Sequence, residues 1–542
     1  MTVLLKHFES GLRIASAVLT LFVFTSAGPA QAQSEESANR DIRTVILTLD
    51  EALQIALVNN YVVRNTRLDL DNTNAQIREA WGQVLPQVNL ESNYTRNIKS
   101  ANPFAGSEAG GLFSSFGLID WLAFNEEART DDDPSSDPIS LTEFGERQRE
   151  GLDAIGASFG GSDNPFSVPN EFTNGISVEQ TLFSGSAFAA ISAAAQLKDI
   201  NRRALERQEQ LVIDEVRRGF YLALLTQEQM EVQQQSVART AITLDEVAKR
   251  VTQGVSPKFQ RLSTEVELAN LETQLVQARN QAAQSLDALK MQLGMPIDQP
   301  LRLRGELEAA DPALFMNVSV ESAFDVAFEN RPDLEQARLA VELRKIDTKI
   351  SRSEYLPTVN AFANFNYMGR VPDDRSFIQS SADDPFTFSQ GTNSFFSRNY
   401  WNPSIAAGVR LSWNLFDGFQ TSARVQQKQV AVSKAEVELD QTIEIVRLEV
   451  NNAVRDLEAA RRRIQSQDQN VANAELNYEY AQARLSEGVA TQLEERNASE
   501  QLDLSRLNYL QAVHDYLVAR SAFQTAIGMP LASGNLLQLT SK

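Results

Sequence analysis

One histidine, His514, remains in this chain once the first 32 residues are set aside, and it sits between Val513 and Asp515 in a stretch of helical pattern. A lone imidazole can shuttle a proton or bind a metal only with a second group placed beside it. No histidine cluster, no H-E-x-x-H and no G-x-x-x-x-G-K occurs anywhere in the sequence. Cysteine is absent, which excludes a thiolate nucleophile, a thiolate metal site, a disulfide scaffold and an N-terminal lipidated cysteine. Carboxylates abound, with 71 acidic against 50 basic residues and a net charge of −21. They fall on solvated helix faces without pairing into an acid/base site. The expectation is therefore no catalytic residue, no cofactor and no metal. A chain this acidic should also repel nucleic acid.

The chemistry-bearing residues thus point away from catalysis. The first 32 residues read as a secretory signal. Lys6 and Arg13 form a basic start, Ile14 to Phe24 an apolar run, and Ala30-Gln31-Ala32 a cleavage site before Gln33. Without the signal the count is 48 basic and 70 acidic residues, or −22. No later segment approaches about 18 consecutive apolar residues, so any membrane passage must be a closed β-barrel.

The sequence repeats itself. Leu49 to Asn89 aligns without gaps on Val320 to Asn360, pairing Leu85-Pro86 with Leu356-Pro357. Leu182-Phe183-Ser184-Gly185 aligns on Leu415-Phe416-Asp417-Gly418, and Arg250 to Pro296 aligns on Arg484 to Pro530. The offset falls from 271 to 233 between the first two blocks, so the first copy carries 38 extra residues there. The layout that follows is a signal (1–32), an N-terminal segment (33–47), repeat 1 (48–300), a linker (301–318), repeat 2 (319–530) and a tail (531–542). Repeat 1 is expected to hold a long, partly mobile outer loop over about 97–172, rich in Gly, Ser, Phe and Asp. Repeat 2 holds a shorter one over about 369–402.

Within each copy the Leu-Pro landmark is followed by residues alternating with period 2, as in Val359, Ala361, Ala363, Phe365 and Tyr367. A second such run, Ile405 to Leu415, precedes Gly418, and copy 1 has weaker versions at Val88 to Asn97 and Asn174 to Phe183. These are strands of about 10 to 12 residues, a length that suits a tilted transmembrane strand and equally a soluble sheet. Between Gly185 and Gln253, and again between Phe419 and Glu487, there is no proline and good helix formers dominate. Each run is roughly 68 residues, or about 100 Å of helix. Such helices must pack side by side as coiled coils. A return helix over about Pro257 to Leu293 and opening helices over about Asp50 to Val84, broken near Asn59-Asn60, could stack end to end against a long one. The fold class is thus mainly α, a duplicated unit giving four strands and two long helical hairpins per chain. Four strands cannot close a barrel, so copies of the chain must share one.

The order and duplication of these landmarks, with Asn330-Arg331-Pro332-Asp333-Leu334 and the tip segments Thr252 to Pro257 and Ser486 to Thr491, resemble the TolC-like outer-membrane efflux proteins. The likeness runs from about 48 to 531. It implies a homotrimer with a shared transmembrane β-barrel in outer-membrane lipid and a periplasmic α-helical barrel. It further implies a periplasmic adaptor (membrane fusion) protein and an inner-membrane transporter as partners. The family narrows the periplasmic end of its tube with acidic residues on the helix after the second tip, and the matching positions are Glu494 and Asn497. Asn497 departs from the usual acidic residue. Glu495 could substitute, although it lies about 100° around the helix from Glu494. Docking to an adaptor would involve Gly254, Val255 and Ser256 with Gly488, Val489 and Ala490. The expected function is a passive exit duct of a tripartite efflux or type I secretion system. The competing reading is an exported coiled-coil adaptor or scaffold without a pore.

Overall fold

A computed structural model of the chain describes residues 44–99, 116–130, 137–156, 168–308, 319–381 and 384–529. The expected signal and tail, and parts of the expected loop and linker, lie outside these residues.

The first half opens with β1 (Val45–Leu47), α1 (Leu49–Asn59), α2 (Tyr61–Gly82) and β2 (Gln87–Arg96). Then come α3 (Phe116–Glu127), α4 (Leu141–Ala154), β3 (Asn170–Phe183), α5 (Gly185–Thr252), α6 (Lys258–Leu293) and β4 (Leu301–Leu303). The second half runs α7 (Val320–Asn330), α8 (Pro332–Arg352), β5 (Thr358–Val371), β6 (Ser376–Ser380) and β7 (Phe388–Thr392). It closes with β8 (Trp401–Ser412), α9 (Gln420–Ser486) and α10 (Gln492–Ala526).

The long helices α5 and α9 contain 68 and 67 residues, so each extends about 100 Å. Nearer the sheet, α2 and α8 lie against α5, and α8 also lies against α9; farther away α6 and α10 take their places. The short helices stack end to end at two breaks. At the first, Asn60 caps α2 by accepting from the amides of Val62 (2.8 Å) and Val63 (3.3 Å). Its amide nitrogen meanwhile donates to the Gln292 carbonyl at the end of α6 (2.7 Å). Gly294 closes α6 at φ +69°, and a Cβ there would stand 2.3 Å from the Asn59 carbonyl oxygen. Only glycine fits both the left-handed backbone and the contact. Gly528 repeats the arrangement at φ +75° against Asn330 and Arg331.

The main core lies at this level. It joins Val212, Val216 and Phe220 of α5, Val446 and Val450 of α9, and Tyr516 and Phe523 of α10 to Ala323, Ala327 and Leu334 of the second break. Arg331 is buried there at 3 % exposure. It donates to Asp333 (3.0 Å), to Glu449 of α9 (2.6 Å) and to the Ala526 carbonyl (3.3 Å). Burial alone would raise the Asp333 carboxyl, but the guanidinium groups of Arg331 and Arg207 beside it hold it below the usual carboxylate range. Beside this core the parallel pair β1–β4 ties the N-terminal segment to the start of the expected linker.

Four strands form an antiparallel sheet in the order β2-β3-β5-β8. Three expectations change. The outer loop expected over 97–172 carries two helices, α3 and α4. Ser140 caps α4, Trp121 Nε1 donates to the Ile139 carbonyl (2.9 Å), and Phe124, Phe144 and Phe386 meet with ring centres 5.3–5.6 Å apart. Glycine and serine content concealed an apolar helical run whose partner, Phe386, belongs to the other half of the chain. Likewise 369–402 is built from the ends of β5 and β8 and a β6–β7 hairpin. The strand before Gly418 also ends at Ser412 rather than Leu415, because Trp413 turns aside to donate to the Tyr355 carbonyl (3.1 Å).

Candidate functional site

The register of the sheet sorts its side chains into two faces. Val88, Val178, Ala363 and Ala407 form one row across the four strands, and Leu90, Ile176, Phe365 and Ile405 another. These rows make an apolar face, on which Leu90 and Ile405 are each 75 % exposed. The alternate rows are polar: Asn89, Ser177, Asn364 and Ala406, then Glu91, Gly175, Asn366 and Ser404. Glu171, Glu179, Arg370 and Arg410 share this second face. An apolar face opposite a polar one, on strands of 10 to 14 residues, fits lipid outside and water inside. At the two edges, β2 and β8 each lack a partner on one side among the described residues.

At the far end from the sheet are two tips. Gly254 and Gly488 follow α5 and α9 at φ +78° and +76°. The Val255 and Val489 amides reach back to the Arg250 and Arg484 carbonyls, each at 3.0 Å. This is the left-handed closure that lets each chain reverse into its return helix. Val255 and Val489 are left 71 % and 67 % exposed.

Just above the tips a groove of about 890 Å³ separates α5 and α6 from α10. Charged pairs cross it. Arg239 of α5 donates to Asp503 of α10, and Arg496 of α10 lies 3.7 Å from Glu267 of α6. Burial pushes the Glu267 carboxyl above its usual range, against the pull of Arg496. Glu495 is raised as well, first by burial and then by Glu246, while a hydrogen bond from Tyr478 acts in the opposite sense.

The three expected constriction residues are therefore not equivalent. Glu494 and Asn497 are both exposed on α10. Glu494 also completes a capping box with Thr491: its amide donates to Thr491 Oγ1 (3.3 Å) and its carboxylate accepts from the Thr491 amide (3.4 Å). Arg484 lies 3.6 Å from it. Glu495 turns inward between the hairpins, so it does not join the Glu494 and Asn497 face. His514 lies within α10, 15 % exposed, with Nδ1 3.4 Å from Asp515. Sequence reading passed over Arg239, Asp503, Glu267, Arg496 and Tyr478. No local signal marks them, since the burial of Asp503, 9 % exposed, arises only from the packing of α10 against α5.

The comparisons with known proteins agree with this geometry. The family described as outer membrane efflux protein matches residues 52–295 and 323–529. The alkaline protease secretion protein AprF of Pseudomonas aeruginosa is 21 % identical over 356 residues, 65 % of this chain and 68 % of AprF. The outer membrane protein TolC of Vibrio cholerae is 19 % identical over 355 residues, 65 % of this chain and 76 % of TolC. The outer membrane efflux protein BepC of Brucella suis is 24 % identical over 237 residues, 44 % and 47 % of the two chains. Among solved structures, the Campylobacter jejuni CmeC outer membrane channel superposes with a TM-score of 0.63 at 13 % identity, covering 89 % of this chain and 86 % of CmeC. CusC superposes at 0.62 with 15 % identity, covering 93 % and 98 %. The chain belongs to the outer membrane efflux protein family, whose members are channel proteins and not enzymes, placed in the outer membrane and extending into the periplasm.

Proposed function

We propose that three copies of this chain close a twelve-stranded barrel and continue it as a periplasmic helical tube, a passive exit duct for a tripartite efflux or type I secretion system. The observation that carries this reading is the sheet, whose apolar face suits lipid while both edges stand open. An open edge in hydrocarbon leaves a row of backbone amides and carbonyls unsatisfied at several kcal/mol each. Joining β8 of one copy to β2 of the next satisfies them. Two copies would supply eight strands, whose interior side chains fill; three leave a pore.

The tips Gly254, Val255, Ser256, Gly488, Val489 and Ala490 are the proposed docking surface for a periplasmic adaptor, itself bound to an inner-membrane transporter that supplies energy. Exposed apolar groups on a rigid turn suit such a contact. Three copies of Glu494, flanked by Asn497, are proposed to line the periplasmic opening and favour cations. Widening that opening requires α9 and α10 to swing from α5 and α6, so the Arg239–Asp503 and Arg496–Glu267 pairs must part.

Extraction tests the assembly. Detergent should release the chain from outer membranes as a species of three copies that forms channels in planar bilayers. Release as a soluble monomer by osmotic shock, without channel activity, would instead support a coiled-coil scaffold.

A further inference from the structure

The segment 393–400, between β7 and β8, crosses the end of the sheet remote from the long helices α5 and α9. Ser397 N–H bonds the Ser394 carbonyl at 2.9 Å, making a β-turn with Phe395 and Phe396 at its centre. Turn centres ordinarily carry Gly, Pro, Asn, Asp or Ser, so two phenylalanines there call for an explanation. Phe395 is accounted for by packing. Its ring lies 5.6 Å from Phe172 and 6.0 Å from Trp401. Both belong to the apolar face, in the row formed by Tyr94, Phe172, Gly369 and Trp401. The turn is thus folded down onto the apolar side, and it leaves Trp401 only 7 % exposed.

Phe396 is not accounted for by packing. It contacts Phe395 and Trp401 at 5.0 and 5.8 Å, yet remains 72 % exposed. The turn holding it is rigid: Trp401 Nε1 donates to the Phe395 carbonyl (2.8 Å), Tyr400 N–H to Ser397 (3.0 Å) and Arg370 N–H to Tyr400 (2.8 Å). Two residues on, Arg398 is exposed and forms no ion pair among the described residues.

We propose that this turn is a bilayer anchor, with Phe396 entering the boundary between headgroups and acyl chains on the extracellular side and Arg398 meeting headgroup phosphates. A fixed apolar ring beside a free cation, continuous with the apolar wall and ending an aromatic row, fits the interfacial region of a membrane. A second copy of the chain is a poorer occupant, because the turn leans over β3, β5 and β8 and away from the free edge of β8. The inference rests on the proposal above that the apolar face meets lipid.

The absence of cysteine makes the test direct. The full chain carrying Phe396→Cys, labelled with an environment-sensitive fluorophore, is reconstituted into phosphatidylcholine vesicles containing nitroxide lipids of graded depth. Ile405→Cys reports the middle of the apolar face, and Ser380→Cys on the β6–β7 hairpin reports the aqueous side. A shallow nitroxide should quench the Phe396 label several-fold more than the Ser380 label, and iodide should quench it less. If the Ile405 label responds to deep nitroxides but the Phe396 label is quenched only by iodide, the anchor is wrong and the lipid-facing wall stands. Protection of the Phe396 label from both quenchers means that protein covers it, and the anchor is again wrong. An Ile405 label that no lipid nitroxide reaches removes both readings.

Discussion

Arg239 and Asp503, 264 residues apart in sequence, form an ion pair between the two helical hairpins close to their tips. Both side chains are largely withdrawn from water. A charge-assisted hydrogen bond in that setting is worth roughly 1.5–3 kcal/mol. Asp503→Asn should therefore loosen the closure, raising single-channel conductance and the permeability of cells to bulky antibiotics. The exchanged double variant Arg239→Asp with Asp503→Arg should return both readings toward wild type. A conductance unchanged by Asp503→Asn would remove this pair from the closing mechanism.

Acidity should favour the closed arrangement. Burial raises both Glu495 and Glu267. A carboxyl whose value is raised when the hairpins pack stabilises packing in its protonated form. That contribution is complete below the ordinary glutamate value and is lost as pH climbs through the raised one. Conductance should fall as pH drops from neutral into this window, and Glu495→Gln should flatten the response. A pH profile identical in the variant would mean that the titration lies elsewhere.

The two break glycines should be less replaceable than the two tip glycines. A Cβ on Gly294 or Gly528 meets backbone at 2.3 and 2.8 Å, whereas one on Gly254 meets nothing. All must adopt positive φ, which costs an alanine roughly 1–2 kcal/mol. Gly254→Ala should lower stability by about that amount, and Gly294→Ala by clearly more, as read from the thermal melting of purified assemblies. Equal losses would show that the break absorbs the added atom.

Removing the Arg331 side chain should be severe. Arg331→Met takes the shared cation from Asp333 and Glu449 and a donor from the Ala526 carbonyl, and breaking a buried pair costs about 3–5 kcal/mol. Because Asp333 titrates below the usual range, the stability it contributes is present above the ordinary aspartate value and is lost as pH falls through the depressed one. Acid unfolding of wild type should steepen there, and the step should shrink in Arg331→Met, where only Arg207 remains beside Asp333.

At the tips, Val255→Asp or Val489→Asp should impair export while the purified protein keeps its three-copy size. For the opening, Glu494→Gln should weaken cation selectivity in bilayers. Glutamine keeps the capping box with Thr491, since its side-chain carbonyl still accepts from the Thr491 amide, so the change tests the charge alone.

The helical architecture was open to sequence reading because its cause is local. An unbroken helix-forming run and a terminal glycine place the end of α5 at Thr252, against an expectation of Gln253. Strand positions followed from alternation for the same reason. The cross-hairpin pairs were not readable, since nothing near Arg239 points to Asp503. The inward turn of Glu495 escaped too, because its neighbour Glu494 has identical chemistry and only the packing of α10 against α5 tells them apart. In the outer segment, α3 and α4 depend on Phe386 from the other half of the chain, a contact without any trace in local composition.

The two long helices also act as a measuring rod. Every residue in them advances the tip by about 1.5 Å, so one heptad removed from each arm of both hairpins would shorten the tube by about 10 Å without altering which faces meet. In the proposed duct, the reach from the outer membrane toward a partner would thus be set by a residue count. A chain shortened in this way should still assemble and conduct, yet export only when its partner is lengthened to match.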